Sequence, residues 1–202
     1  MTRHPDLAAQ LARLQASRSR AVILIDGPAG SGKSTLAGRL ADTWPEPIQV
    51  AGLDDFYPGW TGLAAGSAMV SQTVLRPLDP GFQRWDWTRD CAGDWVSLDP
   101  TRPLIVEGCG ALTPDSRRLA SLGIWCELDP AERKARALAR DGMVFAQHWD
   151  EWAAQEAEHW RRHRPWELAD VTLSGPGAPD HDPSRTGIRA ALRQQPDPCP
   201  TM

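Results

Sequence analysis

Residues 21–34 read Ala21-Val22-Ile23-Leu24-Ile25-Asp26-Gly27-Pro28-Ala29-Gly30-Ser31-Gly32-Lys33-Ser34. The first five residues are apolar on both faces, which is typical of a strand buried between two layers of helices. The last eight fit the pattern Gly-x-x-x-x-Gly-Lys-Ser/Thr, and residues 34–43 predict a helix that ends before Trp44-Pro45. A strand, a glycine-rich turn and a helix in this order predict a phosphate-binding loop, or P-loop.

Each position of this loop has a chemical role. The glycines let backbone N–H groups turn towards phosphate oxygens, and the helix N-terminus adds the positive end of its dipole. Lys33 supplies a point charge to the β- and γ-phosphates, the Ser34 hydroxyl can ligate Mg²⁺, and Thr35 can reach an inner phosphate. The predicted nucleotide-binding residues are Gly27, Pro28, Ala29, Gly30, Ser31, Gly32, Lys33, Ser34 and Thr35. The alternative is a glycine-rich turn that binds no nucleotide.

Further apolar segments alternate with helical patterns along the chain. Strands are predicted at residues 48–53, 104–106, 124–128 and 171–173, and a short amphipathic helix is predicted at 6–17. This alternation predicts an α/β chain of three layers, built on a mostly parallel five-stranded sheet in the manner of P-loop NTPases.

Two stretches do not follow the alternation. Residues 58–100 are rich in Gly, Pro and Trp, and we predict an insertion of loops and a short helix that covers the acceptor site. Residues 176–202 carry six prolines and predict a tail with a short helix near 186–193. The predicted P-loop domain therefore spans residues 1–175.

The composition excludes several classes of protein. The 202 residues carry a net charge of -4 and only two lysines, Lys33 and Lys134, which is unlike a nucleic-acid-binding protein. No apolar run is long enough to span a membrane, and the N-terminus lacks the apolar core of a signal peptide. The four cysteines, and the pair His159 and His163, lack a metal-binding pattern. We therefore expect reduced thiols and a cytoplasmic protein.

A pair of carboxylates follows the second predicted strand, in the sequence Asp54-Asp55-Phe56-Tyr57. Open α/β sheets bind their ligands at the carboxyl ends of their strands. A carboxylate that faces the γ-phosphate there can orient and deprotonate an attacking hydroxyl group. The alternative is a helix cap or a turn, where aspartates are also common.

In these motifs the chain resembles the uridine kinase and phosphoribulokinase group of P-loop small-molecule kinases, particularly nucleoside kinases of the uridine–cytidine type. The resemblance extends over roughly residues 21–175. It implies that Asp54 is the catalytic carboxylate, that Tyr57 lies near the acceptor, and that Glu107 in Leu104-Ile-Val-Glu107-Gly108 lies near Mg²⁺. The alternatives are a Tyr57 ring packed under the loop and a Glu107 that caps a neighbouring helix.

Three arginines lie at helical spacing in a helix predicted to open at Asp129 and end at Gly142. Arg133, Arg136 and Arg140 share one face of that helix. In the nucleoside kinases a similar pattern leads into a helical lid, here about 142–165, whose arginines surround the phosphates of ATP. The resemblance therefore implies that all three bind ATP, and that Arg136 and Arg140 act in catalysis together with Lys33. The alternative is a solvated charged face, with Glu132 and Asp141 as partners.

The acceptor site is predicted within the insertion. Asp79 and Asp86 could bind the hydroxyl groups of a ribose, and Arg84 an anionic group. Trp85 and Trp87 could stack on a base. The ten tryptophans of the chain could equally be large core and rim residues. Together with two residues named above, the predicted substrate-binding set is Asp54, Tyr57, Asp79, Arg84, Trp85 and Asp86.

These expectations combine into an ATP- and Mg²⁺-dependent kinase that phosphorylates a hydroxyl group of a small metabolite, with a nucleoside as the first choice. No nucleic-acid or membrane partner is expected. Residues 25–33 also resemble the opening of cytidylate kinases, so a nucleoside monophosphate kinase stays open. A non-catalytic ATP-binding regulatory protein stays open as well, and it would need no base at Asp54. Residues 58–75 lack the aromatic hairpin expected for pyrimidine recognition.

Overall fold

The computed structural model describes residues 6–17 and 19–174, so the tail and its predicted helix lie outside the described residues. The strands are β1 (Val22–Asp26), β2 (Gln49–Gly52), β3 (Gly81–Asp86), β4 (Cys91–Ser97), β5 (Leu104–Glu107), β6 (Leu122–Glu127) and β7 (Val171–Ser174). The α-helices are α1 (Leu7–Ala16), α2 (Lys33–Thr43), α3 (Leu63–Met69), α4 (Pro114–Arg117), α5 (Pro130–His163) and α6 (Pro165–Leu168).

Five of the strands form one parallel sheet in the order β2-β5-β1-β6-β7. Alternate residues of β1 face opposite layers, because successive side chains of a strand point to opposite faces. Ile23 and Ile25 pack with Ala37 and Leu40 of α2 in one cluster, on which α1 also lies. Leu24 belongs to a second cluster on the other face, formed with α3, the β3–β4 pair and α5. The predicted three-layer α/β fold with a five-stranded sheet is confirmed.

The insertion at residues 58–100 contains more regular structure than the sequence predicts. Helix α3 continues into a π-helical turn, Val70–Val74, and β3 and β4 then pair as an antiparallel hairpin. Our prediction of loops and one short helix is wrong for this hairpin. The high Gly, Pro and Trp content concealed it, whereas the fold stabilises it by burying Phe82 against Phe56, with ring centres 4.8 Å apart.

Helix α5 is interrupted at Gly142, whose φ of 68° and ψ of -151° lie outside the helical region. Such a conformation is accessible essentially to glycine alone, so the sequence-predicted stop at Gly142 corresponds to a sharp kink. The two halves of α5 contact each other, because the Arg133 guanidinium lies 5.5 Å from the ring centre of Trp149 and 5.6 Å from that of Trp160. Across residues 6–17 and 19–174, no helix is both long and apolar enough to cross a membrane.

Candidate active site

Three neighbouring strands end at the same edge of the sheet. In the register of the sheet, Glu107 at the end of β5 lies beside Ile25 of β1 and Gly52 of β2. The P-loop follows β1, and a short 3-10 turn, Leu53–Asp55, follows β2. This topology brings together five residues that the sequence predicts to act on phosphate groups. A cavity of about 30 Å³ is lined by Lys33, Ser34, Asp54, Glu107 and Arg140.

The P-loop has the backbone conformation of an anion-binding turn. Gly30 and Gly32 have φ angles of 81° and 94°, and a Cβ on Gly30 would collide with the carbonyl oxygen of Arg133. Gly32 precedes α2 and has no side chain to cap it, which leaves N–H groups of the first helical turn for an anion. Thr35 lies in that turn as well, and the buried Ser31 hydroxyl has no hydrogen-bond partner within the described residues.

Lys33 is buried at the centre of the site. Its ammonium group donates to the Pro28 carbonyl oxygen at 2.9 Å and to the Cys109 sulfur at 3.5 Å. Burial opposes the charge, but Cys109, Glu107 and Glu156 around it outweigh that effect, so the pKa of Lys33 is raised. Lys33 is therefore a permanent positive charge at the mouth of the P-loop.

Asp54 and Glu107 both line the cavity, and the charge of Asp54 acts on Glu107. Burial raises the pKa of Asp54, against the attraction of Arg140 and Lys33. Burial, and then the charge of Asp54, raise the pKa of Glu107 to about 7. Both carboxyl groups are thus better proton acceptors than free aspartate or glutamate.

The resemblance implies Mg²⁺, and two residues fit it. The Ser34 hydroxyl and the Glu107 carboxyl group both line the cavity, so two hard oxygen ligands are available at the same place. Mg²⁺ is usually held by one or two carboxylates together with substrate phosphates and water. The described residues contain no group of three or more His, Cys, Asp or Glu that could hold a metal ion by themselves.

The structure gives different surroundings to the three arginines that the sequence predicts to share one helix face. Arg140 lines the cavity and makes a bidentate ion pair with Asp141, with distances of 2.6–3.0 Å. Arg136 instead pairs with Glu132 at 2.6 Å, and its side chain does not line the cavity. Arg133 also lies outside the cavity lining, where the two halves of α5 meet. Glu132 and Asp141 are the partners that the solvated-face alternative names.

The four acceptor candidates of the insertion do not line the cavity. Asp79 is exposed and pairs with Arg76, while Asp86 accepts hydrogen bonds from two backbone N–H groups of the hairpin turn. The Trp85 indole donates to Asp90 at 3.3 Å. Arg84 is exposed on β3, where its charge acts on Asp55.

Two other tryptophans form the aromatic wall of the cavity. Trp60 and Trp87 line it with their ring centres 5.0 Å apart, and Trp60 also stacks on His148 at 4.3 Å. The Trp87 indole N–H donates to the carbonyl oxygen of Asp54 at 2.8 Å, which fixes the backbone beside the carboxylate. The sequence analysis proposes Trp87, together with Trp85, for stacking on a base, and it does not consider Trp60.

Comparison with known proteins gives a likeness in fold to solved structures. No family model matches the chain, and no curated protein sequence matches it. The solved structure of a possible uridine kinase from Bacillus stearothermophilus superimposes with a TM-score of 0.53 at 19% identity. The match covers 83% of this chain and 98% of that one. The chain therefore shares the fold of that structure.

Within this fold, Tyr57 is a packing residue of the site. It is 1% exposed, its hydroxyl donates to the Cys109 carbonyl oxygen at 2.7 Å, and its ring meets Trp152 edge-on at 4.9 Å. This is the alternative in which the ring packs under the loop. The ring still borders the cavity, but the hydroxyl group is bound to the backbone.

Asp26 is a residue of the site that the sequence analysis misses. Its fully buried carboxylate accepts hydrogen bonds from the backbone N–H groups of Gly27, Gly110 and Leu112 at 2.6, 3.0 and 2.8 Å. It thereby joins the start of the P-loop to the segment that follows β5. The available signal is a charged residue at the end of an otherwise apolar strand, because a buried carboxylate needs several donors.

The raised pKa of Glu107 predicts an unusual pH dependence of stability for the metal-free protein. Unfolded glutamate titrates near 4.5 and folded Glu107 near 7, so the folded state is progressively disfavoured as pH rises between these values. Glu107→Gln should reduce this loss by about 1–3 kcal/mol. Urea unfolding at pH 5 and pH 8 with a chelator present measures it, and an identical pH dependence in both proteins contradicts it.

Proposed function

We propose that the protein is an ATP-dependent phosphotransferase that transfers the γ-phosphoryl group to a hydroxyl group of a small metabolite, with a nucleoside as the acceptor. One observation carries the proposal, namely that Lys33, Asp54, Glu107 and Arg140 surround a single cavity at the end of the P-loop. A site that only binds ATP requires the lysine, but it has no need of a carboxylate base opposite it.

In the proposed reaction the P-loop N–H groups and Lys33 hold the β- and γ-phosphates. Asp54 accepts the proton of the acceptor hydroxyl as that oxygen forms a bond to the γ-phosphorus atom. The bond from phosphorus to the β,γ-bridging oxygen breaks, and ADP leaves with its electron pair. The raised pKa of Asp54 suits this role, because a stronger base accepts the proton more readily.

Arg140 would neutralise charge on the transferred group, since it borders the same cavity. Mg²⁺, bound with Ser34 and Glu107 as ligands, would supply charge neutralisation at the phosphate oxygens. The segment after Gly142 would act as the lid, because Phe145 and Trp152 close the cavity and leave only about 30 Å³ inside. Displacement of its first turn, next to the Gly142 kink, would admit the substrates and its return would exclude water.

The acceptor would bind against Trp60 and Trp87, of which the sequence analysis proposes Trp87 together with Trp85. Both indole rings border the cavity that Asp54 also lines, and aromatic rings suit nucleobases. Aromatic rings at this position favour a nucleoside, whose base is planar, over an acceptor without a planar group.

A coupled assay of ADP release tests the proposal directly. Nucleosides, nucleoside monophosphates, pantothenate and sugar acids would each be offered with ATP and Mg²⁺. Release with nucleosides supports the proposal, and release with nucleoside monophosphates alone favours the cytidylate-kinase alternative. Release with none of them, together with measurable ATP binding, favours a regulatory ATP-binding protein.

Asp54→Asn should lower turnover at least ~10²-fold while leaving ATP affinity intact, because the amide cannot accept the hydroxyl proton. Asp55→Asn is the matched control, since this neighbouring carboxylate lies outside the cavity lining. Turnover is measured by ADP release and affinity by calorimetry. An Asp54→Asn variant as active as the control would refute the assignment of the base.

Arg140→Ala should lower turnover by about 10²–10³-fold, towards the range known for arginines in phosphoryl transfer. Arg136→Ala should change it severalfold at most, because Arg136 pairs with Glu132 away from the cavity. The two variants are compared at saturating ATP and acceptor. Equal losses of turnover in the two variants would instead support the sequence-based expectation that both arginines act in catalysis.

A further inference from the structure

A second buried carboxylate touches the P-loop from the far half of α5. Glu156 is 1% exposed, and its Oε1 atom accepts a hydrogen bond from the backbone N–H of Ala29 at 2.6 Å. The same oxygen accepts from the Cys109 thiol at 3.2 Å, while Oε2 accepts from the Arg133 guanidinium at 3.2 Å. All three partners are donors, so the contacts match an ionised carboxylate.

Cys109 extends this contact to the P-loop lysine. Its sulfur accepts from the Lys33 ammonium group and its thiol hydrogen is directed at Glu156. Burial raises the pKa of Cys109 well above that of a free thiol, which keeps the hydrogen in place. A continuous chain of hydrogen bonds therefore runs from Lys33 through Cys109 and Glu156 to the N–H of Ala29, and it joins both ends of the loop.

The position of Glu156 is fixed from outside by Arg133. The Arg133 side chain is 12% exposed and lies close to the rings of Trp149 and Trp160. The backbone carbonyl oxygen of Arg133 lies next to Gly30 of the P-loop. Glu156 thus connects the far half of α5 to the P-loop. A fixed negative charge close to a phosphate site opposes phosphate binding, so its presence there calls for a compensating role.

We propose that Glu156 and Cys109 are positioning residues that hold the P-loop in its phosphate-binding conformation before the nucleotide arrives. Glu156 takes up the Ala29 amide and leaves the later amides of the loop to the phosphates. Cys109 holds the Lys33 ammonium group alongside them. A loop that is already ordered loses less entropy on binding and binds more tightly. The inference rests on the proposed function, because it assumes that the ligand is ATP.

An inhibitory role of Glu156 would make the opposite prediction for the affinity for ATP. If the Glu156 carboxylate competed with phosphate for the Ala29 amide and for Arg133, its neutralisation would tighten ATP binding. Under the positioning role, neutralisation weakens binding, because the amide group of glutamine turns a donor towards the Arg133 guanidinium and displaces the side chain from the loop. The direction of the change therefore separates the two.

The experiment measures the Kd for ATP by calorimetry in the wild-type protein, Glu156→Gln and Glu158→Gln. Glu158 is the matched control, since it is an exposed glutamate of the same helix that pairs with Arg161. We expect the Kd to rise at least ~10-fold in Glu156→Gln, or about 1.4 kcal/mol, and to stay at the wild-type value in the control. Unchanged or tighter binding in Glu156→Gln overturns the proposal.

Substitutions of Cys109 provide an independent test, which also decides the matter if Glu156→Gln does not fold. Serine keeps both a donor and an acceptor, whereas alanine breaks the chain between Lys33 and Glu156. We expect Cys109→Ser to bind ATP more tightly than Cys109→Ala, and equal or reversed affinities overturn the proposal. A wild-type protein that binds no ATP would refute the proposed function itself, so the two failures are distinguishable.

Discussion

A charged ammonium group is stable inside a protein only if acceptors surround it, and this requirement organises the site around Lys33. The Pro28 carbonyl and the Cys109 sulfur bind it directly, and Glu107, Glu156 and Asp54 contribute opposite charge. The three acidic groups come from three separate segments of the chain. Their convergence depends on the strand order, which places β5 between the P-loop strand and β2.

The same requirement explains why the carboxyl groups of Asp54 and Glu107 have raised pKa values. Each acidic group that stabilises Lys33 is itself removed from water, and Glu107 also meets the charge of Asp54. The cavity therefore holds more acidic than basic groups, and a bound phosphate would meet both the attraction of Lys33 and the repulsion of these carboxylates. Protonation of one carboxyl group, or a bound cation, reduces that repulsion. A hydroxyl group opposite Asp54 can transfer its proton for the same reason.

The sequence predicts the parts of the site that depend on local order. The P-loop is recognisable because strand, glycines, lysine and helix are contiguous, and Asp54 because it directly follows a strand. The hydrogen bond from Ala29 to Glu156 joins residues 127 positions apart, and no periodicity records such a pairing. The arginine stripe fails as a unit for a related reason, since helical spacing predicts a shared face but not the partner of each guanidinium. The β3–β4 hairpin was obscured by composition, and with it the position of Trp87.

Four of the ten tryptophans have a common explanation once the two halves of α5 are in place. Trp60 and Trp87 of the insertion meet each other, and Trp60 also meets Phe145 and His148 of α5. Trp149 and Trp160 flank the Arg133 guanidinium. These rings connect the far half of α5 to the insertion on one side and to its own near half on the other. Any movement about Gly142 that opens the cavity must therefore separate ring contacts beside Asp54, which couples access to the site to the placement of the proposed base.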